Sequence, residues 1–244
     1  MPCFFTPHLK SNEKKITISG EEFHHITHVF RRKPGDEILL TNGAGLLATS
    51  RISAIEKKTL EVDILETIPQ QKSHPGVAVA FPLLKNKHDL LIVEKLTELG
   101  VKEFFPLITA RTVRQPSSNT IDKFKKTAIS AIKQCDNAFL PEINQCSELK
   151  EIVMLLKQKN YTAAVALEFG EHKPLSKILD AKHDPLCLII GPEGGFTKEE
   201  TEFMQQNDVI SFTLGNHVLR AETAAISAAS QVLGIYLAEN PHYY

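Results

Sequence analysis

The segment LIIGPEGGF (residues 188–196) shows an apolar strand that runs directly into a glycine-rich turn. The residues that follow, TKEE (197–200), form a capping box that predicts a helix start, with Thr197 as N-cap and Glu200 three residues later. Glycines at the carboxyl end of a strand permit positive φ and let a ligand lie against bare backbone. Ligands of α/β sheets bind at that end, so this turn is a candidate binding site. A tight strand-to-helix turn without a ligand is the alternative.

A second segment of this kind is FTLGNHVLRAETAA (residues 212–225), in which a strand again ends at a glycine, Gly215, and is followed by an irregular stretch and a helix. That helix begins with many small residues, which let another helix or backbone approach closely and therefore indicate a packing seam. The high helix propensity of alanine is the alternative explanation.

Outward from these two segments, apolar strands alternate with helices over the rest of the chain from residue 76. The strands are predicted at 77–81, 104–108, 163–167, 186–190 and 209–214. The helices are predicted at 89–99, 120–135, 148–158 and 197–206, and from 221 onward. Continuous apolar strands that alternate with helices predict the α/β class, with a mostly parallel sheet covered on both faces.

Residues 1–72 show a different, mainly β pattern. Short alternating strands with one helix near residues 21–30 predict a small barrel. Residues 69–75, which include two prolines and a polar run, are the best linker candidate. We therefore expect two domains, a small β-barrel at 1–72 and an α/β domain at 73–244.

Composition excludes several classes of protein. Of the 244 residues, 42% are hydrophobic and 23% charged, so the chain can bury a core and is not wholly disordered. No apolar run approaches the roughly 20 residues of a membrane span. The start of the chain is unlike a secretory signal. The four cysteines form no C-x-x-C pair, which argues against a structural zinc site. We expect a soluble cytoplasmic protein with no membrane partner. Residues 1–140 carry 20 basic and 15 acidic side chains and residues 141–244 carry 8 and 14, which indicates either a basic nucleic-acid face or merely uneven surfaces.

The motifs that are missing narrow the ligand. The chain has no phosphate-binding P-loop, no dinucleotide fingerprint, no nucleophile elbow and no H-E-x-x-H zinc motif. His24 and His28 have the spacing of a shared metal site on a helix, but a solvated helix face explains them better, and we expect no metal. Glycines and an acid without an anion cradle suit a ligand that carries an amine, a ribose or a positive charge.

The segments GPEGGF (191–196) and LGNHVLRAETAA (214–225) resemble the signature of the SPOUT-class RNA methyltransferases, and specifically of the RsmE family, which methylates N3 of a uridine in 16S ribosomal RNA. Further matches follow the family order along nearly the whole chain. They are Val29-Phe30-Arg31, Pro34-Gly35-Asp36, Lys85, Lys95, residues 97–101, Arg111, Gln134-Cys135 and residues 141–143. The resemblance implies a PUA-like barrel that helps to hold RNA, followed by a SPOUT domain with a deep trefoil knot.

The resemblance also implies a cofactor, a partner and site residues. The cofactor is S-adenosyl-L-methionine, the substrate is 16S ribosomal RNA or the small ribosomal subunit, and the chain is a homodimer. The cofactor-binding residues would lie in three loops at strand ends, namely Leu167, Ile190, Gly191, Pro192, Glu193, Gly194, Gly195, Leu214, Gly215, His217, Val218, Leu219 and Thr223. The RNA-binding candidates are Arg31, Arg32, Lys85, Lys95 and Arg111. For each of them the alternative is a surface side chain that only keeps the protein soluble.

For catalysis, we expect Arg220 to stabilise the negative charge that develops on the uracil edge. Glu222 would orient Arg220 or accept the proton; alternatively, Glu222 complements the helix dipole and pairs with Arg220. The chain departs from the family pattern at three places. Where family members usually have arginine, this chain has His217 and, before its first aromatic residues, Cys3. Where they usually have a Glu-Gln pair with a nearby arginine, it has Lys133 and Asn137. The alternative functions are methylation of transfer RNA or another base, a non-catalytic RNA-binding module and, more remotely, an oxidoreductase.

Overall fold

The computed structural model describes residues 1–71, 76–179, 183 and 185–239. The chain forms two compact units, Met1–Lys72 with Ile129–Leu140 and Ser73–Ala128 with Pro141–Tyr244. The expected domains, 1–72 and 73–244, differ from these units in the placement of residues 129–140. Residues 72–75 of the expected linker lie outside the described part of the chain.

The first unit contains a five-stranded sheet, a short helical segment after its second strand and the end of a longer helix. Its strands are β1 (Cys3–Phe5), β2 (Lys15–Ser19), β3 (Glu37–Thr41), β4 (Leu46–Ile55) and β5 (Thr59–Pro69). The strand order is β1-β3-β4-β5-β2, with β1 parallel to β3 and the other pairs antiparallel. Helix α1 (Gly20–His24) continues into a π-helical turn, His25–Val29, and buries Phe23 and Ile26 against the strands. Alternation along β4 and β5 places one face of each strand in this core.

The second unit contains the remaining elements. Its strands are β6 (Val77–Pro82), β7 (Glu103–Ile108), β8 (Glu142–Ile143), β9 (Ser147–Glu148), β10 (Thr162–Ala166), β11 (Leu186–Ile189) and β12 (Ile210–Phe212). The helices are α2 (His88–Glu98), α3 (Thr120–Gln134), α4 (Leu149–Gln158), α5 (Lys198–Gln206) and α6 (Ala221–Glu239). The residues of α3 from Ile129 onward belong to the first unit. Among the described residues, no helix has both the length and the apolar content needed to cross a bilayer.

Each pair of strands described in the second unit is parallel, which confirms the predicted α/β class with its mostly parallel sheet. The order is β12-β10-β11-β6-β7-β8, with β9 also beside β7. Residues of β6 and β11 are almost entirely buried, because helices cover both faces of a sheet of this kind.

The strand register brings three loops together. Val165 of β10 pairs with Ile189 of β11 on one side and with Ser211 of β12 on the other, so the three strands end at the same edge of the sheet. After β12 the chain returns, and α6 packs on α2 and β6. Ala225, Ala228 and Ala229 are fully buried in α6, as the packing-seam interpretation predicts.

Candidate active site

A cavity of about 720 Å³ lies at the shared carboxyl edge of β10, β11 and β12. Its wall comes almost entirely from the loops that follow these strands. The lining residues are 166–169, 190–198, 213–215 and 217–221, together with Arg111, Thr201 and Ala224. The three loops that the resemblance assigns to a cofactor therefore surround one cavity.

The glycine turn after β11 needs glycine for steric reasons. Gly195 has φ +66° and donates its backbone N–H to the carbonyl of Pro192 at 2.8 Å, which closes the turn. A Cβ on Gly191 would lie 2.9 Å from Cε2 of Phe196, a half-buried ring that packs on the core. Glycine at these two positions therefore keeps the turn tight and leaves the wall as bare backbone.

The turn is held from outside by the segment after β7. Glu200 caps α5 as predicted: its Oε2 accepts from the backbone N–H of Thr197 at 2.8 Å, and Oγ1 of Thr197 accepts from the backbone N–H of Glu200. The other carboxylate oxygen accepts from the N–H of Ala110 at 2.9 Å. Nη1 of Arg111 donates to the carbonyl oxygen of Gly194 at 2.6 Å. These hydrogen bonds fix the glycine turn without filling the cavity.

Of the thirteen expected cofactor residues, twelve line the cavity and Thr223 does not. Thr223 is exposed, whereas Ala221 and Ala224 of the same helix border the cavity. Residues three apart share a helix face and a residue two positions on from Ala221 points elsewhere, so the side chain of Thr223 lies outside the cavity wall.

The two expected catalytic residues have different surroundings. Arg220 is exposed and lines the cavity. Glu222 is outside the lining and mostly buried, and its Oε1 lies 2.7 Å from Nδ1 of His88. The structure thus gives the Glu222 carboxylate a partner on α2, His88.

The five RNA-binding candidates are likewise not equivalent. Arg31 and Lys85 are exposed, and Arg32 is half-buried. Both Glu94 and Glu98 pair with the Lys95 ammonium, at 2.8 and 2.9 Å, and these hydrogen bonds raise the pKa of Lys95 above its usual range. Arg111 belongs to the cavity wall through its bond to Gly194.

The residues that depart from the family pattern are accommodated locally. His217 is exposed in the cavity wall. Within the first unit, Nζ of Lys133 pairs with Glu22 at 2.7 Å, and Oδ1 of Asn137 accepts from the N–H of Phe139 at 2.9 Å. Cys3 is buried in β1, and burial raises the pKa of its thiol to about 12.

Some wall residues carry no motif that sequence reasoning could use. Phe169 is 80% exposed although it borders the cavity, and its only signal is its place shortly after β10. His88 is 134 positions away from Glu222, so no spacing rule connects them. No cluster of three metal-ligating side chains occurs in the described part of the chain, and the rings of His24 and His28 stack on each other at 4.6 Å between centroids.

Comparison with known families gives two matches. A family described as "RNA methyltransferase domain" matches residues 71–233, and one described as "RNA methyltransferase PUA domain" matches residues 18–65. The first match covers most of the second unit, including all three cavity loops.

Curated proteins named ribosomal RNA small subunit methyltransferase E are similar over most of the chain. The protein of Rickettsia conorii is 29% identical and covers 94% of this chain and 93% of its own length. The protein of Bacillus subtilis is 27% identical, with 89% of each chain covered.

Two solved structures have the same architecture. A proposed methyltransferase from Legionella pneumophila, in complex with the bound cofactor SAM, has a TM-score of 0.85 at 27% identity and covers 95% of this chain and 96% of that one. A ribosomal RNA small subunit methyltransferase E from Neisseria gonorrhoeae, bound to S-adenosyl methionine, has a TM-score of 0.89 over 97% and 98% of the two chains. At 22% identity, the second likeness concerns the fold.

Proposed function

This chain belongs to the RNA methyltransferase family, and from that premise we propose that it transfers a methyl group from S-adenosyl-L-methionine to N3 of a uridine in 16S ribosomal RNA. The observation that carries the proposal is the glycine-walled cavity at the ends of β10, β11 and β12. The similarity to proteins named ribosomal RNA small subunit methyltransferase E supports the choice of substrate.

The residues of the cavity fit this cofactor. A volume of about 720 Å³ is within the usual range for small-molecule sites. Backbone amides and carbonyls of the wall suit the adenine and ribose, because bare glycine backbone allows close approach. The acids in the wall, Glu168 and Glu193, are exposed and suit ribose hydroxyls or a positive charge. The cofactor carries no phosphate, which agrees with the lack of a P-loop.

In the reaction, the bound cofactor supplies a methyl group that is already activated by its sulfonium. Uracil N3 carries a proton, so the base must lose that proton as N3 accepts the methyl group, and negative charge spreads over the ring. Arg220 is a cation in the cavity wall and cannot itself accept the proton at ordinary pH. We assign Arg220 as the catalytic residue that stabilises this charge.

The environment of Glu222 favours a positioning role over proton transfer. Glu222 lies in the first turn of α6, two residues after Arg220. Its carboxylate is mostly buried and contacts His88 of α2. The contact holds the junction between the cavity loop and α6, and with it the backbone that carries Arg220. The N3 proton then passes to solvent or to another group.

The remaining parts of the proposal concern RNA and assembly. The first unit contains the PUA-like segment, which we propose helps to hold the RNA, with Arg31 and Arg32 as its basic contacts. We further propose a homodimer that works in the cytoplasm, where its ribosomal substrate is made, and a knotted path of the chain around the cavity.

The test is direct product detection. The purified chain is incubated with labelled S-adenosyl-L-methionine and small ribosomal subunits, or with 16S RNA alone, from a strain that lacks the modification. Nucleoside mass spectrometry should detect one N3-methyluridine per 16S molecule. Three results would contradict the proposed activity. They are label found only in transfer RNA, label found at another base, and binding of the cofactor without methyl transfer.

A further inference from the structure

A second cavity, of about 480 Å³, lies in the same unit and shares no lining residue with the first. Its wall comes from the segment around the start of α2, from Arg114 and from α3. The lining residues are Leu84, Asn86, Lys87, Asp89, Leu90, Arg114 and Lys123. Neither the family matches nor the proposed mechanism assigns it a role.

A buried carboxylate fixes the guanidinium in this wall. Asp89 is fully buried, its Oδ2 accepts from Nη1 of Arg114, and its Oδ1 accepts from the N–H of Leu90 at 3.0 Å. Arg114 also donates to the carbonyl oxygen of Leu84 at 3.4 Å and remains partly exposed. One side of the guanidinium is therefore held in place, and the remaining donors are available to a ligand.

Two lysines complete the wall. Lys87 and Lys123 are exposed, and neither forms an ion pair with any residue that the structure describes. Three cations and one buried carboxylate leave this wall with a net charge of +2. Such a wall suits an anion.

The backbone at this cavity is strained. Asn86 and Lys87 are consecutive non-glycine residues with φ of +53° and +63°, in the left-handed region. Left-handed non-glycine residues persist only where the surrounding structure imposes them, and they concentrate at functional sites.

One side chain links this cavity to the first one. His88 stands between Lys87 and Asp89, both of which line the second cavity, and its Nδ1 contacts Glu222. Glu222 follows Arg220 by two residues. The contact between His88 and Glu222 therefore connects the segment that lines the second cavity with the start of α6, which follows Arg220.

We propose that the second cavity binds a backbone phosphodiester of the RNA, near the nucleotide that is methylated. The proposal rests on the proposed function for its substrate. Guanidinium and ammonium groups suit phosphate oxygens, since arginine binds them with paired donors and lysine as a point charge. Fixing one phosphate of the RNA in this cavity would help to orient the target base.

The test compares two variants with the same change of charge. Lys87→Glu/Lys123→Glu reverses both lysines of the cavity, and Lys125→Glu/Lys177→Glu reverses two exposed lysines that line neither cavity. Arg114 is left intact, because its removal would strand the buried Asp89. Fluorescence anisotropy then measures the affinity for a 16S RNA fragment over a range of salt concentrations, and calorimetry measures that for S-adenosyl-L-methionine.

The cavity variant should bind the RNA at least about tenfold more weakly than the control. The slope of log K against log salt should fall by about 0.7, because the site binds one phosphate and each phosphate contact to single-stranded RNA accounts for about that much. Cofactor affinity should stay the same in both variants. Equal RNA affinities for the two variants would overturn the phosphate site even if the wild type methylates 16S RNA. If the wild type binds RNA but fails to methylate it, the proposed function fails, and the same comparison still decides the site.

Discussion

The two cavities of the second unit are lined by different kinds of chemical group. The first is walled mainly by the loops after three strands, with the glycine turn 191–195 on one side, and its cations Arg111, Lys198 and Arg220 come from separate segments. The second is walled by charged side chains on a strained turn and two helices. Backbone groups recognise shape and hydrogen bonding and are largely indifferent to salt, whereas cations attract a polyanion and lose affinity as salt rises. The difference indicates that cofactor and RNA are recognised by separate physical means.

The largest expected effect comes from removing the Arg220 guanidinium from the wall of the first cavity. Arg220→Ala should lower kcat by about 100-fold or more, since losing one preorganised group that stabilises developing charge costs about 10²–10³. The Kd for S-adenosyl-L-methionine should change less than about twofold, because the glycine turn and the other lining residues of the cavity stay in place. Single-turnover methylation and calorimetry measure the two quantities.

Thr223→Ala is the matched control for Arg220→Ala. Thr223 is exposed at the start of the same helix and does not line the cavity, so this variant should behave like the wild type. Full activity in Arg220→Ala, or a similar loss in both variants, would remove Arg220 from the mechanism.

A smaller effect is expected from adding one carbon to the glycine wall. In Gly191→Ala the new Cβ would meet the ring of Phe196 at 2.9 Å, so either the ring or the turn must shift. Overpacking of this kind costs about 1–3 kcal/mol, and we expect cofactor affinity to fall about tenfold. Gly234→Ala is the control, because a Cβ at Gly234 of α6 meets nothing within 4 Å. Calorimetry should separate the two variants, and equal affinities would show that this wall is not in contact with the cofactor.

The smallest expected effect shows whether Arg111 supports the glycine turn of the first cavity or contacts the RNA. Its hydrogen bond to Gly194 predicts that Arg111→Ala raises the KM for the cofactor several-fold, because the glycine turn loses an external support. The kcat and the salt slope of RNA binding should stay close to wild type. A flatter salt slope with unchanged cofactor KM would instead assign Arg111 to RNA, as the resemblance suggests.

The sequence predicted the architecture well where a pattern is local. Apolar runs and helical periodicity placed β6, β7 and α2–α5 to within one or two residues, because burial on a covered sheet requires just those patterns. The short strands β1, β8 and β9 were missed, since strands of two or three residues are stabilised by distant partners rather than by their own composition. Cys135, the last residue of the helix predicted at 120–135, is exposed because α3 ends at Gln134.

The candidate site shows the same division. Glycines at strand ends identified the cavity, because their spacing reports a backbone requirement that can be read locally. The roles of Arg111, Glu222 and Thr223 could not be read in this way. Each depends on a long-range contact or on the direction of one side chain, such as the contact of Glu222 with His88 from a different helix.

A calorimetric titration of S-adenosyl-L-methionine into the purified chain, at low and at high salt, tests the cofactor cavity most directly. We expect one molecule bound per chain, with a Kd that changes less than about twofold between the two conditions, because loop backbone forms much of the cavity wall. Absence of binding, or an affinity that falls steeply with salt, would contradict a cofactor cavity built from the loops after β10, β11 and β12.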